Sequence, residues 1–174
     1  MTSLIIREPR LEDEIAFIEA IRRSSKLHYP WVNPPQTPEE FHSYLNRYQL
    51  YNQKSFLLLN NSNEIIGVFN INEIVFGVFQ SAYLGFYAME PFSGIGNMSN
   101  GLKLVLHKVF TELNLHRLEA NIQPSNEHSI NLVTRNNFRK EGYSPRYLKI
   151  NNIWCDHERW AITYEDWVVP QSER

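Results

Sequence analysis

From Tyr83 to Gly142 the chain reads strand, glycine turn, helix, strand, helix, strand, and that order constrains the fold more than any other stretch. The apolar run Tyr83-Leu84-Gly85-Phe86-Tyr87-Ala88-Met89 leads into the turn Pro91-Phe92-Ser93-Gly94-Ile95-Gly96-Asn97-Met98, and a helical stretch follows from Ser99 to Leu113. Two glycines one residue apart let a backbone approach a ligand closely. The helix behind them turns its free N–H groups and positive dipole end to the same point. Gly94, Ile95, Gly96, Asn97, Met98 and Ser99 therefore make a candidate anion cradle, a pattern that taken alone also describes an ordinary tight turn. The strand Arg117 to Ile122, a helix opened by Ser125-Asn126 and a strand after Phe138 complete the unit.

The remainder reads more simply. Leu4-Ile5-Ile6-Arg7 is a short strand, and Leu11, Ile15, Phe17, Ile18 and Ile21 recur at helical spacing. Four prolines (Pro30, Pro34, Pro35 and Pro38) make His28 to Pro38 a loop. Thr37-Pro38-Glu39-Glu40 then starts a helix whose buried face is Phe41, Tyr44, Leu45 and Tyr48. Hairpins are predicted for Ser55–Leu59 with Ile65–Ile74, and for Tyr147–Ile150 with Ile153–Tyr164 around Asn151-Asn152. Two helices, antiparallel strands and then an alternating core imply an α/β or α+β fold with a mixed sheet, as one domain over residues 1–174.

With 43% hydrophobic and 21% charged residues the chain has the composition of a folded protein, which excludes wholesale disorder. No apolar stretch approaches a membrane span, and Met1 to Arg7 lacks the build of a signal peptide. The single cysteine, Cys155, forms no internal disulfide and fits a reducing compartment, so the cytoplasm is expected. A net charge of −2 gives no global field toward nucleic acid or anionic membrane. The late basic residues Arg135, Arg139, Lys140, Arg146 and Lys149 read as a solvated face in preference to a phosphate-binding surface. The six histidines lack metal-ligand spacing, and no metal is expected.

Arg117-Leu118-Glu119-Ala120 on a strand, Asn126-x-x-Ser129 opening a helix, then Phe138 and Glu141-Gly142 stand in one order at one spacing. In this the chain resembles the GNAT superfamily of acyl-CoA N-acyltransferases, and within it the RimJ/RimL-type protein N-terminal acetyltransferases, from about Leu4 to Trp167. The resemblance implies a mostly antiparallel sheet flanked by helices, in which Tyr83–Met89 and Arg117–Ile122 splay apart. It implies acetyl-CoA as cosubstrate, its pyrophosphate on the Gly94–Ser99 backbone and its pantetheine arm along Tyr87, Ala88 and Met89. An N–H of Ala88 or Met89 would meet the thioester oxygen, Asn126 would contact the coenzyme A arm, and Ser129 would donate a proton to the leaving thiolate. Asn126 reads equally as a helix cap. The family turn is Gln/Arg-x-x-Gly-x-Gly/Ala; here Ser93 replaces the long polar residue and Met98 the small one. Asn137 takes the place of a glycine and tolerates the left-handed conformation.

Acyl transfer to an amine requires holding the donor, polarising the thioester and managing two protons. On the acceptor side stand His28, Tyr29 and Trp31 of the aromatic loop and Asp156 of Trp154-Cys155-Asp156-His157, the last either binding an ammonium group or bonding to a neighbouring loop. No base is obvious. Tyr83 occupies a position where relatives often carry Glu, Leu148 falls at another, and Glu73, Glu119, Asp156, His157 and His28 remain. An α-amine, with a pKa of about 8 against about 10.4 for lysine, needs little help in losing its proton, so a protein N-terminus, typically of a ribosomal protein, is the favoured acceptor. The alternatives are a small-amine acetyltransferase, or a binding module that holds coenzyme A or a partner without turnover. Exposed strand edges or the aromatic loop could support an oligomer.

Overall fold

In strand β2 (Lys54–Leu59), which follows a short edge strand β1 (Ile5–Arg7), the run Phe56-Leu57-Leu58-Leu59 is buried without a break, the mark of a strand covered on both faces. The computed structural model describes residues 4–169, so the expectations that rest on Met1 to Ser3 and on the last five positions lie outside the described residues. Strands β3 (Ile65–Val75), β4 (Ser81–Ala88), β5 (Arg117–Ile122), β6 (Arg139–Ile150) and β7 (Ile153–Thr163) complete one sheet in the order β1-β2-β3-β4-β5-β7-β6. Every neighbouring pair is antiparallel except β4 with β5. A parallel pair needs a crossover, and helix α4 (Asn97–Thr111) supplies it.

Alternation along the strands sends their side chains to two cores. Phe56, Leu58, Phe69, Ile71, Leu84 and Leu118 pack with Leu102, Val105, Leu106 and Val109 of α4. Gly101 lets this helix lie close, since a Cβ there would press on Leu58 and Phe69. On the other face Leu57, Leu59, Val68, Tyr87 and Met89 meet helix α1 (Glu14–Arg23) through Phe17, Ile18 and Ile21, and helix α3 (Pro38–Tyr48) through Phe41, Tyr44 and Tyr48. Thr37 caps α3 in a reciprocal box with Glu40, as Thr37-Pro38-Glu39-Glu40 predicts. Between them α2 (Ser25–His28) is a single helical turn.

The first predicted helix is narrower than its apolar pattern. Leu11 sits in a 3-10 turn (Leu11–Asp13) ahead of α1, Ile15 lies in the first turn, and both are exposed. Helix α4 starts two residues earlier than the pattern indicates, because Gly96 at φ +88° turns the chain directly into it. The last hairpin is longer than predicted. Strand β6 is an edge strand of 12 residues whose pairing with β7 slips between Ser144 and Leu148, around Pro145. Helix α5 (Glu127–Arg135) bridges β5 to β6, and α6 (Tyr164–Val168) follows β7. Among the described residues no helix is long and apolar enough to cross a membrane.

Candidate acyl-transfer site

Strands β4 and β5 pair only at Ser81 with Arg117, Ala82 with Leu118 and Tyr83 with Glu119. Past that point β4 keeps its partner β3 as far as Ala88 and β5 keeps β7 as far as Ile122, so a wedge opens between them. The splay implied by the resemblance is present. Register then decides which backbone groups face the wedge. The Met89 N–H donates to the Ile66 carbonyl at 3.0 Å, and successive residues alternate sides, so Phe86 and Ala88 direct N–H and C=O away from β3. Of the two expected thioester donors, Met89 is therefore already engaged, and its side chain is fully buried. Ala88 remains.

At the open end of the wedge lies the glycine turn. Gly94 (φ +75°) and Gly96 (φ +88°) have left-handed backbones, and apart from the adjoining backbone no atom of the described residues lies within 4 Å of where a Cβ on either would stand. The first bond of α4 runs from the Asn100 N–H to the Gly96 carbonyl, which leaves the amides of Asn97, Met98 and Ser99 at the helix start. The two departures from the family turn have distinct consequences. The Ser93 hydroxyl donates to the Glu90 carboxylate at 2.7 Å, while the residue still lines the cavity described below. The Met98 thioether lies over Gly67, where a Cβ would collide with the sulfur.

Helix α5 forms the facing wall. The Asn126 Oδ1 accepts from the Ser129 N–H at 3.2 Å, so the cap reading of Asn126 holds and its amide nitrogen has no partner among the described residues. The Ser129 hydroxyl bonds to no described residue. At the other end the Phe138 N–H reaches the Val133 carbonyl and the Asn137 N–H the Thr134 carbonyl, with Asn137 left-handed at φ +66° as anticipated. The Asn136 amide then donates to the Ser99 hydroxyl at 3.0 Å, which ties the end of α5 to the first turn of α4.

A cavity of about 450 Å³ joins these parts. It is lined by Tyr87 and Ala88 of β4; by Gly94, Gly96, Met98 and Ser99 of the turn; by Asn126 and Ser129 of α5; and by His28 and Trp31. It does not bring in Met89, Asn97 or the exposed Ile95. Tyr29 points to solvent with 73% of its surface exposed, because the chain turns outward between His28 and Trp31. The Asp156 carboxylate accepts from the Tyr143 hydroxyl and from the Arg146 N–H at 2.7 Å, which spans the β6 bulge and keeps it off the cavity. The loop after His28 is nevertheless fastened to the late hairpin, since Asn151 bonds to the Asn33 side chain and to the Pro30 carbonyl.

Phe86, Leu27 and Val32 also line the cavity, as do His128, Asn131, Leu132 and Arg135, all beyond the residues singled out from sequence. The last four are spaced i, i+3, i+4, i+7 along α5, a stripe readable once Asn126 is placed at the helix start. Arg135 leaves the solvated basic face. Arg139 pairs with Asp166 and Glu141, and Lys140 with Glu158, whereas Arg135 makes no ion pair with a described residue and turns to the cavity.

The candidate bases are dispersed. Glu119 is held by Arg117 at 2.8 Å, Glu73 accepts from Gln53 at 3.0 Å, and the buried His157 places Nδ1 at 2.9 Å from the Cys155 carbonyl. None of these lines the cavity, nor does Tyr83 or Leu148. His28 alone does, 2.8 Å from the Ala88 carbonyl through Nε2. A carbonyl only accepts, so Nε2 carries the proton and Nδ1 is bare. Burial lowers the pKa of this imidazole and keeps it neutral at pH 7.

Comparison with known proteins agrees with this architecture. The family model Acetyltransferase (GNAT) domain matches residues 3–139. The chain is 38% identical over 104 residues to the [ribosomal protein uS5]-alanine N-acetyltransferase of Escherichia coli, covering 60% of this chain and 54% of that protein. It thus spans little more than half the length of the curated relatives it matches. Mycobacterium smegmatis RimJ in complex with CoA-disulfide superimposes with a TM-score of 0.88 at 24% identity, over 98% of this chain and 86% of that one. Vibrio cholerae spermidine N-acetyltransferase in complex with CoA and spermine gives 0.82 at 20% identity, over 95% and 98%. At those identities the structures speak for the fold, while the domain match takes in most of the sequence, the wedge, the glycine turn and helix α5 included: the chain belongs to the GNAT acetyltransferase family.

Proposed function

We propose that this protein is an acetyl-CoA-dependent N-acetyltransferase, the whole chain acting as one catalytic unit, and that its acceptor is a protein N-terminal α-amine. The observation that carries the reading is the continuity of the cavity from the glycine turn, past the unpaired edge of β4 and the start of α5, to His28 and Trp31. Its residues fit the cosubstrate in order. The amides at the start of α4 take the pyrophosphate, with Arg135 as the nearby cation. The pantetheine amides pair with the wedge-facing groups of Phe86, as a strand would. The Ala88 N–H meets the thioester oxygen as negative charge develops there, a kind of contact whose removal costs about 10²–10³-fold in kcat. The amine attacks the carbonyl carbon, the C–S bond breaks, the Ser129 hydroxyl protonates the departing thiolate, and the proton released by the attacking nitrogen passes through solvent to restore the hydroxyl.

The acceptor class follows from charge. No Asp or Glu occurs among the residues lining the cavity. A polyamine arrives with several positive charges that demand carboxylates, whereas an N-terminal amine is partly neutral at cellular pH, with a pKa of about 8. Spermidine acetylation, named for one structural neighbour, is therefore less well supported here than acetylation of a peptide end, named for the uS5-alanine relative.

Thiol release from acetyl-CoA should be measured with peptides beginning in alanine and, in parallel, with spermidine. Peptide turnover with kcat/KM rising through an apparent pKa of about 8 is expected, since the acceptor's own ionisation then governs the rate. Faster turnover of spermidine would reverse the acceptor assignment. Tight acetyl-CoA binding with no turnover of any amine would leave a coenzyme-binding module.

A further inference from the structure

We propose that His28 is a positioning residue for acyl transfer: it holds the Ala88–Met89 peptide so that the Ala88 N–H faces the thioester oxygen. The inference rests on the acetyltransferase reading above and adds to it a residue that never touches the reacting atoms.

Beyond Tyr83, β4 has lost its neighbour on the wedge side, so the strand that must present an oriented donor is held by β3 alone. A stabilising donor has to be fixed to within about 10–20° to act. The Ala88–Met89 peptide is gripped at both ends. Its carbonyl accepts from the His28 Nε2–H at 2.8 Å, and its N–H donates to the Ile66 carbonyl at 3.0 Å. One residue on, the Glu90 N–H donates to the Ser24 hydroxyl at 2.9 Å, and that hydroxyl donates to the Ala20 carbonyl at 2.7 Å.

Ser24 and His28 are four residues apart and both buried, and the His28 N–H bonds to the Ser24 carbonyl, so they sit one above the other on a single helical turn. That turn stands in for the missing strand. Its two side chains hold β4 at the point where the wedge is widest from its paired base.

The imidazole is otherwise poorly suited to its place. Its Nδ1 is buried and has no partner among the described residues, and a bare buried acceptor is unfavourable. The Tyr87 ring meets it edge-on at 5.3 Å, so an apolar ring would pack there without that cost. What an apolar ring lacks is the Nε2–H. His28 also begins the acceptor-side loop, since its carbonyl takes the N–H groups of Trp31 at 2.8 Å and Val32 at 3.0 Å. A single residue thus links the wall that meets the amine to the carbonyl of Ala88, the residue whose N–H orients the acyl group.

The test compares His28→Phe and His28→Gln with the parent protein. Both are checked for folding, then assayed for acetyl-CoA affinity by calorimetry and for kcat with an alanine-ended peptide. His28→Phe is expected to keep acetyl-CoA affinity within about twofold while kcat falls about 10²-fold, the size of effect seen when an oxyanion donor is lost. His28→Gln, whose side-chain amide can donate to the same carbonyl, is expected to recover at least about tenfold of that loss. An unchanged kcat in His28→Phe, or an affinity loss that accounts for the whole defect, overturns the proposal while leaving the acetyltransferase reading intact. A parent with no turnover overturns both. Should the variants not fold, imidazole ¹⁵N spectra of the parent decide: the Nε2–H tautomer is expected at neutral pH, and an Nδ1–H or doubly protonated ring overturns the assignment.

Discussion

Asn126 and Ser129 stand side by side at the start of one helix, yet the structure gives them different freedom. The Asn126 oxygen is committed to the cap, whereas the Ser129 hydroxyl has no partner among the described residues and borders the cavity. Ser129→Ala is expected to lower kcat about 10²-fold with acetyl-CoA affinity unchanged, measured by steady-state kinetics beside calorimetry. Loss of affinity at normal kcat would make it a binding residue. Arg135→Ala is expected to weaken acetyl-CoA binding about tenfold, with the deficit narrowing as salt is raised, because a charge-assisted phosphate contact at a cavity mouth is screened. Equal affinity in both proteins would return Arg135 to the solvated face. These two residues were legible to different degrees. The Asn126-x-x-Ser129 spacing is local and survives folding unchanged. The role of Arg135 depends on α5 being tied to α4 through Asn136 and Ser99, a contact between residues 37 positions apart. The choice between Ala88 and Met89 was out of reach, because it turns on strand parity. Of the two readings of Asp156 the hydrogen bond to a neighbouring segment is the one present, because the bulge opposite it supplies its partners.

Among the elements, the glycine turn and α4 show how a family pattern can change without losing its shape. Met98 stands where relatives carry a small residue, and its side chain is accommodated because β3 has Gly67 beneath it. Gly67→Ala should therefore lower the unfolding free energy by about 1–3 kcal/mol through overpacking. Gly67→Ala combined with Met98→Ala should be less destabilised than the two single effects summed, as neighbours sharing one space are not additive. Thermal or urea unfolding of the four proteins reads this directly, and strict additivity would show that the two positions do not share the space. Helices α1, α3, α4 and α5 and the first hairpin were legible from periodicity and caps. The early start of α4 and the long edge strand β6 were not, since a left-handed glycine and a bulge around Pro145 set those limits.

At the scale of the whole molecule, two buried imidazoles make the fold sensitive to acid. Burial holds His28 and His157 below the ordinary histidine value of 6.5. Below about 6.5 the unfolded chain takes up protons that the folded chain refuses, so stability falls as pH drops from there toward the lowered folded values. Urea midpoints at pH 5.5 should lie below those at pH 7.5, and His157→Gln should shrink the difference. A midpoint that holds or rises on acidification would contradict the assignment. The mixed sheet was legible from the alternation of strand and helix patterns. The insertion of β7 between β5 and β6 was not, because pairing order is a long-range choice that local propensity does not encode.

The wedge between β4 and β5 leaves two runs of backbone without a strand partner on that side, in the middle of a sheet. Unpaired strand edges at a sheet's margin invite other chains, but here the edge of β4 opens into a cavity walled by α5 and the segment from His28 to Val32. A cosubstrate arm lying along that edge, as proposed above, would serve as an eighth strand for as long as it stays bound. Ligand that binds only the folded form stabilises it by mass action. The molecule's resistance to unfolding and proteolysis would then track the acetyl-CoA supply, making the protein's lifetime in a cell a readout of the metabolite it consumes.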